Sequence, residues 1–200
     1  MKKRLSPTCA ALVSVLAVML VFSGLCYAAE FSADLLTVEN GKTMTGRIFV
    51  KGDKTRQELV AEGGMRVIIF RMDKNLVWTL LPGNKCIEIA GLGSPMNLGQ
   101  PMAPDCDKVG LGVQTVNGHV CDVVQYVYKD KSLGSLTQWV SQKLGYMVRA
   151  EVKDARGKAT LVTEYRNIRE EQLPDSLFEV PPGYTKKALP LGIPVKPNLP

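Results

Sequence analysis

The sequence predicts a mainly β protein built on an antiparallel sheet of about 10 strands, with little helix. The first observation is a series of short apolar segments, each separated from the next by turn-forming residues at a spacing of roughly ten residues. The second is that these segments have strand composition, and the third is that no long stretch shows helical periodicity. The turn signals lie at Asn40-Gly41, Gly52-Asp53, Gly63-Gly64, Asp73 to Asn75, Pro82 to Asn84 and Asn117-Gly118.

The first two strands are predicted to form a hairpin. Asn40-Gly41 tolerates the positive φ angles that a two-residue type I′ turn requires. After this turn the segment 43–50 alternates between polar and apolar residues, which places Met44, Ile48 and Val50 on one side of a strand. The pattern therefore predicts a sheet with one apolar face at this point.

The segments 67–70 and 76–81 are apolar at nearly every position. Strands of this kind need cover on both sides. In a flat sheet a second layer of protein provides the cover, whereas in a strongly curved sheet the concave side can line a cavity. Both arrangements are compatible with the sequence.

Two segments depart from the strand pattern. Residues 170–178 are the best candidate for a short helix, which Pro174 limits to a turn or two. Residues 91–108 contain three prolines, three glycines and two methionines, Met96 and Met102, and are predicted to be a long loop. Disorder and a flap over the sheet are the two alternatives for this loop.

The N-terminus has the features of a secretory signal peptide over residues 1–28. A basic start at Lys2 to Arg4 precedes an uncharged apolar run from Ala10 to Leu25, and Ala28 is suited to cleavage. A membrane anchor is the alternative, but the run is short for a span. The signal predicts a periplasmic protein with a β domain over residues 29–187 and a flexible proline-rich tail over residues 188–200.

The charge of the mature chain favours no particular partner. Removal of three basic residues lowers the formal net charge from +6 to +3. The remaining basic residues are interspersed with acidic ones, as in the segment 51–58, whereas nucleic acid binding needs a contiguous basic face. We therefore expect no nucleic acid partner.

Three cysteines remain after processing: Cys86, Cys106 and Cys121. In an oxidising compartment this number permits one disulfide and one free thiol, and three pairings are possible. A bridge from the long loop to the sheet is preferred, either Cys106 to Cys121 or Cys86 to Cys106. In the chain-entropy model, a Cys106 to Cys121 bridge raises the free energy of unfolding by roughly 3 kcal/mol.

The only histidine, His119, lies two positions before Cys121, so a strand after the Asn117-Gly118 turn places both side chains on one face. A cysteine hydrolase also needs a group that orients the histidine, an oxyanion hole and a cleft. The sequence signals none of these, and it offers too few donors for a structural metal site. The sequence predicts no enzyme activity, no cofactor and no metal.

Six segments of the chain are similar to known proteins: Phe31 to Asp34, Gly46 to Arg56, Ile69 to Trp78, Val116 to Cys121, Gln138 to Ser141 and Leu177 to Tyr184. They resemble bacterial envelope proteins of the LolA-like superfamily, which includes the periplasmic carrier of lipoproteins, and the similarity is greatest to an uncharacterised branch of unknown function. This resemblance implies a strongly curved antiparallel sheet, an unclosed half-barrel, whose apolar concavity accepts acyl chains. The chain differs from the carriers because it lacks their N-terminal helix and has the loop 91–108 where they have a helical lid.

The apolar pattern then gives a predicted ligand-binding face, whose alternative interpretation is a packed core. The leading hypothesis is a non-enzymatic periplasmic protein that holds lipid or lipoprotein acyl chains. The alternative is a structural or sensory envelope protein that docks a partner protein and binds no lipid. The predicted face consists of Met44, Ile48, Val50, Val67, Ile69, Leu76, Trp78, Leu80, Val124 and Tyr126.

Overall fold

A computed structural model describes residues 29–61, 64–90 and 105–190, which form one antiparallel sheet apart from a single parallel pair at one edge. The sheet has 12 strands and is not closed, so the predicted mainly β fold is confirmed with a somewhat higher strand count. Among the described residues no helix is long and apolar enough to cross a membrane. The strands are β1 (Glu30–Glu39), β2 (Lys42–Lys51), β3 (Lys54–Ala61), β4 (Gly64–Arg71), β5 (Leu76–Leu81), β6 (Lys85–Ala90), β7 (Cys106–Val116), β8 (His119–Tyr128), β9 (Ser135–Ser141), β10 (Tyr146–Lys153), β11 (Ala159–Glu170) and β12 (Thr185–Pro190).

The predicted hairpin turns are present. Asn40 and Gly41 connect β1 to β2 with φ angles of 49° and 83°, and Asn117 and Gly118 connect β7 to β8 with φ angles of 48° and 82°. Positive φ at both positions matches the right-handed twist of the flanking strands. These turns fix the register of the two hairpins.

The strand order is β12-β6-β5-β4-β3-β2-β1-β11-β10-β9-β8-β7, so β12 and β7 form the two edges. The last edge strand, β12, continues to Pro190, so the tail predicted from residue 188 begins inside a strand. The predicted loop 91–108 also ends inside a strand, because β7 begins at Cys106. The rest of that loop, with Met96 and Met102, and the predicted signal peptide lie outside the described residues.

The predicted helical segment 170–178 contains one 3₁₀ turn at Asp175–Phe178. Pro174 precedes this turn with an extended backbone, as expected of a residue that cannot continue a preceding helix. The remainder of the segment is irregular and runs across the sheet.

The sheet is strongly curved. Thr55 in β3 and Tyr146 in β10 are four strand positions apart, which in a flat sheet corresponds to about 19 Å. Their side-chain hydroxyl oxygens are only 3.4 Å apart. Tyr146 also packs against Phe31 of β1, with ring centroids 5.4 Å apart. The side of the sheet that carries Phe31, Val50 and Thr55 is therefore concave.

The two sides of the sheet have separate cores. On the concave side, Phe31 pairs with Val50 and Ala33 with Ile48, and these residues form one buried cluster together with Tyr165 of β11. Phe49 points to the opposite side, because successive residues of a strand alternate between faces. The convex core consists of Phe49, Val67, Ile69, Trp78, Leu80, Cys86, Leu173 and Phe178.

Candidate functional site

The convex core is covered by the chain itself. Residues 171–184, which follow β11 and are here called the strap, lie over β2 to β6. Phe178 of the strap is fully buried and Leu173 is 6% exposed. Leu177, Val180 and Tyr184 pack around them as partly buried residues. The convex face of this half of the sheet is therefore occupied by strap side chains.

One end of the strap is held by Arg71 at the end of β4. The Arg71 side chain is 5% exposed and donates to the Phe178 carbonyl oxygen at 3.2 Å. It also donates to both carboxylate oxygens of Asp73, at 2.8 and 2.6 Å, and to Glu179. These bonds lower the pKa of Asp73 and raise the pKa of Arg71. A buried cation thus fixes the backbone next to the buried Phe178 ring.

The other end of the strap is held at the β2–β3 turn. Lys51 donates to the Leu173 carbonyl oxygen at 2.7 Å, and the Leu173 amide donates to the Glu30 carboxylate at 2.7 Å. Lys54 donates to Asp175 at 2.9 Å, and this bond lowers the pKa of Asp175. The pKa of Glu30 is lowered by the bond from the Leu173 amide. The strap is therefore fastened at both ends by charged side chains.

The structure divides the ten predicted ligand-binding residues between the two faces. Strand pairing carries the face assignment across the sheet: Ile48 pairs with Gln57, and Gln57 with Ile68 rather than with Ile69. The concave face receives Met44, Ile48, Val50, Val124 and Tyr126, whereas the convex face receives Val67, Ile69, Leu76, Trp78 and Leu80. The second group lies beneath or beside the strap.

One end of the concavity is filled by protein. Ile48 and Val50 are both fully buried, and Tyr165 is 1% exposed. The Tyr146 ring lies between Phe31 and Tyr165, with centroid distances of 5.4 and 6.4 Å. This end of the concave face is a packed core.

Beyond the packed end the concave face carries apolar side chains that are only partly buried. They come from both halves of the sheet, and Thr37 and Thr163 lie between the two groups on the same face. Five of them are additional to the sequence prediction: Leu59, Ile68, Leu136, Val152 and Leu161. We call the set the concave band: Met44, Leu59, Ile68, Val124, Tyr126, Leu136, Val152 and Leu161.

Strand register, and not a local sequence signal, places these five residues on the concave face. Leu59 and Ile68 face the concavity because of the β2–β3 and β3–β4 registers, which depend on turn lengths. Leu136 and Leu161 lie in segments that mix polar and apolar residues, and no face was predicted for them. Only the register brings them opposite Tyr126 and Val152.

His119 and Cys121 do not form a catalytic pair. The His119 ring nitrogen Nδ1 lies 3.3 Å from the Ser141 hydroxyl, while the Cys121 thiol donates to the His119 backbone carbonyl at 3.3 Å. Cys121 is fully buried, and burial raises the pKa of its thiol. A buried thiol with a raised pKa is a poor nucleophile. Among the described residues, no group of three or more His, Cys, Asp or Glu could hold a metal ion.

The predicted disulfide does not form among the described cysteines: Cys86, Cys106 and Cys121 are all free. Cys106 pairs with Tyr128 at one end of the β7–β8 hairpin, whereas Cys121 pairs with Gln114 near the other. Seven residues of strand correspond to about 24 Å. A disulfide requires Cα atoms within about 7 Å, so this bridge is excluded. Cys86 lies in the convex core, in the other half of the sheet.

A search of protein-family models found no match, and a search of the curated proteins found none either. Solved structures do match. An uncharacterised conserved protein from Thermus thermophilus has a TM-score of 0.60 at 11% identity, over 90% of this chain and 99% of that one. A chain of the Pseudomonas aeruginosa MucA/MucB complex has a TM-score of 0.51 at 14% identity.

The matching structures also include a LolA superfamily protein from Nitrosomonas europaea, at 13% identity and a TM-score of 0.37 over 76% of this chain and 90% of that one. The chain shares its fold with the Thermus thermophilus protein and with the chain of the MucA/MucB complex. The predicted resemblance agrees with the presence of a LolA superfamily protein among the matching structures. The match to the MucA/MucB complex covers 76% of this chain but only 56% of the other chain.

Proposed function

We propose that this protein is a non-enzymatic periplasmic protein that holds lipid, or the acyl chains of a lipoprotein, against the concave band. The observation that carries the proposal is the position of the band. Eight apolar side chains from both halves of the sheet share the concave face and remain partly exposed. Partly exposed apolar side chains gathered on one concave face are typical of a binding site.

The curvature of the sheet supports an acyl ligand. A concave apolar surface can contact a flexible chain from several sides at once, which removes more apolar area from water than a flat surface does. Burial of acyl carbon contributes about 0.8 kcal/mol per methylene. The band has no buried charge to pair with a polar ligand, because its members are aliphatic or aromatic.

The N-terminal sequence supports the compartment. A basic start followed by an uncharged apolar run and Ala28 is typical of a cleaved signal peptide. Lipoproteins and free lipids are exchanged between membranes in the bacterial envelope. A carrier or receptor for acyl chains therefore has substrates available where this chain is predicted to be exported.

The test is to express the chain with its signal peptide, purify the mature protein from periplasm without detergent, and combine native mass spectrometry with organic extraction. We expect lipid or acyl mass near one equivalent per chain. The double variant Ile68→Gln and Leu136→Gln places two amides in the concave band and is expected to reduce the bound fraction at least tenfold. A protein free of lipid, and unchanged after incubation with phospholipid vesicles, contradicts the proposal.

The matched control is Met65→Gln. Met65 is 58% exposed and pairs with Val60 on the opposite side of the sheet from Leu59. The same chemical change there leaves the concave band intact, so lipid content is expected to stay at the wild-type level. Equal losses of bound lipid in the double variant and the control indicate a general loss of folded protein. Circular dichroism detects such a loss.

A second candidate function is the docking of a partner protein without lipid. It is favoured by the exposed apolar residues along the edge strand β7, among them Leu111 and Val113. One structure with the same fold is a chain in the MucA/MucB complex. Recovery of lipid-free protein that binds a defined envelope protein, with loss of binding on substitution in β7, supports this alternative.

A further inference from the structure

The two edges of the sheet differ in chemistry. β12 carries Lys186 and Lys187 and ends at Pro190, and such residues block the addition of another strand to an edge. In contrast, the last eight residues of β7, Val109 to Val116, contain no charge and no proline. The β12 edge is therefore protected by charge and proline, and this part of the β7 edge has neither.

The β7 edge is also exposed and apolar. Val109, Leu111 and Val113 are 42%, 47% and 60% exposed. Within the described part of the chain β7 pairs only with β8, so the backbone groups along its outer side have no strand partner. A long, exposed, apolar edge is a template for pairing with another strand.

The sequence of the β7 edge is self-complementary. Val109-Gly110-Leu111-Gly112-Val113 reads the same in both directions. Antiparallel pairing of two copies about a two-fold axis at Leu111 places Val109 opposite Val113 of the other copy, and glycine opposite glycine. A two-fold interface requires this kind of self-complementarity.

The flanking residues fit the same register. In this pairing Lys108 lies opposite Gln114 of the second copy, and Asp107 lies opposite Thr115. No charged residue faces a like charge, which would be destabilising across a strand pair. From the exposed edge and its symmetric sequence we propose that β7 pairs with β7 of a second copy, joining two sheets edge to edge into a symmetric homodimer.

The bulge in β7 favours a second copy over an unrelated strand. The pairing with β8 shifts between Gly110 and Val113, and Gly112 has a φ angle of 88°. A bulge increases the local twist and hinders pairing with a regular strand. In the symmetric dimer the two bulges lie side by side, so each copy presents the same twist to the other.

The proposed dimer is independent of the proposed lipid binding, since the paired β7 strands lie outside the concave band.

The main test of the dimer is cross-linking. On a Cys106→Ser background, Leu111→Cys places a thiol on the two-fold axis, where paired strands bring the two Cα atoms about 4.5 to 5.5 Å apart. Mild oxidation is expected to convert most of the mature Leu111→Cys protein into a disulfide-linked dimer.

The matched control is Val109→Cys on the same background. Residue 109 faces residue 113 of the other copy, so two thiols at position 109 do not meet, and at least tenfold less dimer is expected. Cys86 and Cys121 are fully buried and remain in both proteins. Equal cross-linking of both variants, or none in either, overturns the proposal.

Analytical ultracentrifugation gives a second measurement without cysteine chemistry. The wild-type mature chain is expected to show a concentration-dependent monomer–dimer equilibrium. Val113→Lys is expected to be monomeric, because each new lysine replaces an apolar contact with Val109 of the other copy. Val60→Lys is the control, because Val60 is 61% exposed but lies in β3, inside the sheet. A wild type that stays monomeric at the highest soluble concentration overturns the proposal.

Discussion

The Arg71 guanidinium donates a hydrogen bond to the Phe178 carbonyl oxygen at 3.2 Å. This bond connects a nearly buried cation at the end of β4 to the residue whose ring is fully buried in the convex core. The side of the sheet that the sequence pattern suggested as part of a ligand site is thus closed by the protein's own C-terminal segment. The following predictions concern this strap, the concave band and the cysteines.

Arg71→Ala is expected to lower the free energy of unfolding by about 3 kcal/mol, because it leaves the Phe178 carbonyl and the Asp73 carboxylate without their donor and leaves Glu179 with Lys74 alone. Urea denaturation measures the change. Arg56→Ala is the control, since Arg56 also donates to a strap carbonyl, that of Leu177, at 3.2 Å. The Arg56 side chain is more exposed than that of Arg71, so a smaller loss of unfolding free energy is expected. Equal losses in the two variants contradict the explanation that burial makes the Arg71 bonds more stabilising.

Phe178→Ala is expected to lower the free energy of unfolding by about 3 to 5 kcal/mol, the usual cost of removing a buried ring. Because Phe178 and Trp78 belong to the same core, tryptophan emission is expected to shift to longer wavelength. Leu177→Ala, at a partly buried strap position, is expected to cost less. An unchanged unfolding midpoint in Phe178→Ala shows that the strap does not stabilise the convex core.

The strap is expected to loosen at acid pH. The hydrogen bonds from Arg71 lower the pKa of Asp73. Burial raises the pKa of Glu179, but the hydrogen bonds from Arg71 and Lys74 outweigh burial, so the pKa of Glu179 is also lowered. When folding lowers the pKa of a carboxyl group, that group stabilises the folded protein fully at pH values above its pKa in the unfolded chain, near 4. This stabilisation is lost as the pH falls through the pKa of the group in the folded protein.

The measurement for this pH dependence is urea unfolding between about pH 7 and pH 2.5. The double variant Asp73→Asn and Glu179→Gln removes both titrating groups. Its stability is expected to be lower at neutral pH and to change less on acidification than that of the wild type. A parallel pH profile in the two proteins excludes these carboxyl groups as the cause.

Trp78→Phe is expected to leave lipid content unchanged, because Trp78 lies in the convex core and not in the concave band. The variant loses the bond from the indole nitrogen to Glu88, at 2.7 Å, and a loss of about 1 kcal/mol in stability is expected. Native mass spectrometry of detergent-free protein gives the lipid content. A drop in bound lipid with the fold intact places the ligand on the convex side.

Thiol titration is expected to find three free thiols in the mature chain after denaturation, and only the partly exposed Cys106 before it. Cys86 and Cys121 are fully buried, and burial raises the pKa of both thiols, which slows their reaction further. Intact mass under non-reducing conditions is the second readout. A mass two daltons below that of the reduced chain reveals a disulfide and contradicts this prediction.

Several features of the fold followed from local sequence. The Asn40-Gly41 and Asn117-Gly118 hairpins were predicted because few other residue pairs adopt positive φ twice in succession. The alternating strand over residues 43–50 was predicted because its polar and apolar residues separate by face. Pro174 limited the predicted helix, and the structure has a single 3₁₀ turn there.

The predicted Cys106 to Cys121 bridge and the predicted end of the loop at residue 108 were wrong for a non-local reason. The glycine- and proline-rich composition of residues 91–108 gave no indication that Cys106 begins a long edge strand. Once Cys106 is in β7, the antiparallel register places it far from Cys121 along the hairpin. Spacing in the sequence therefore suggested a bridge that the register excludes.

The sequence by itself determined the hairpin turns, that the sheet is mainly antiparallel, and that segments such as 67–70 and 76–81 are apolar on both faces, because turn chemistry and strand composition are local. The tertiary structure alone decided which face each residue of an all-apolar strand occupies. Ile68 and Ile69 are chemically identical neighbours, yet one faces the concavity and the other lies in the convex core. Only pairing through β3 to the alternating strand β2 distinguishes them, since a strand that is apolar on both sides has no preferred register of its own.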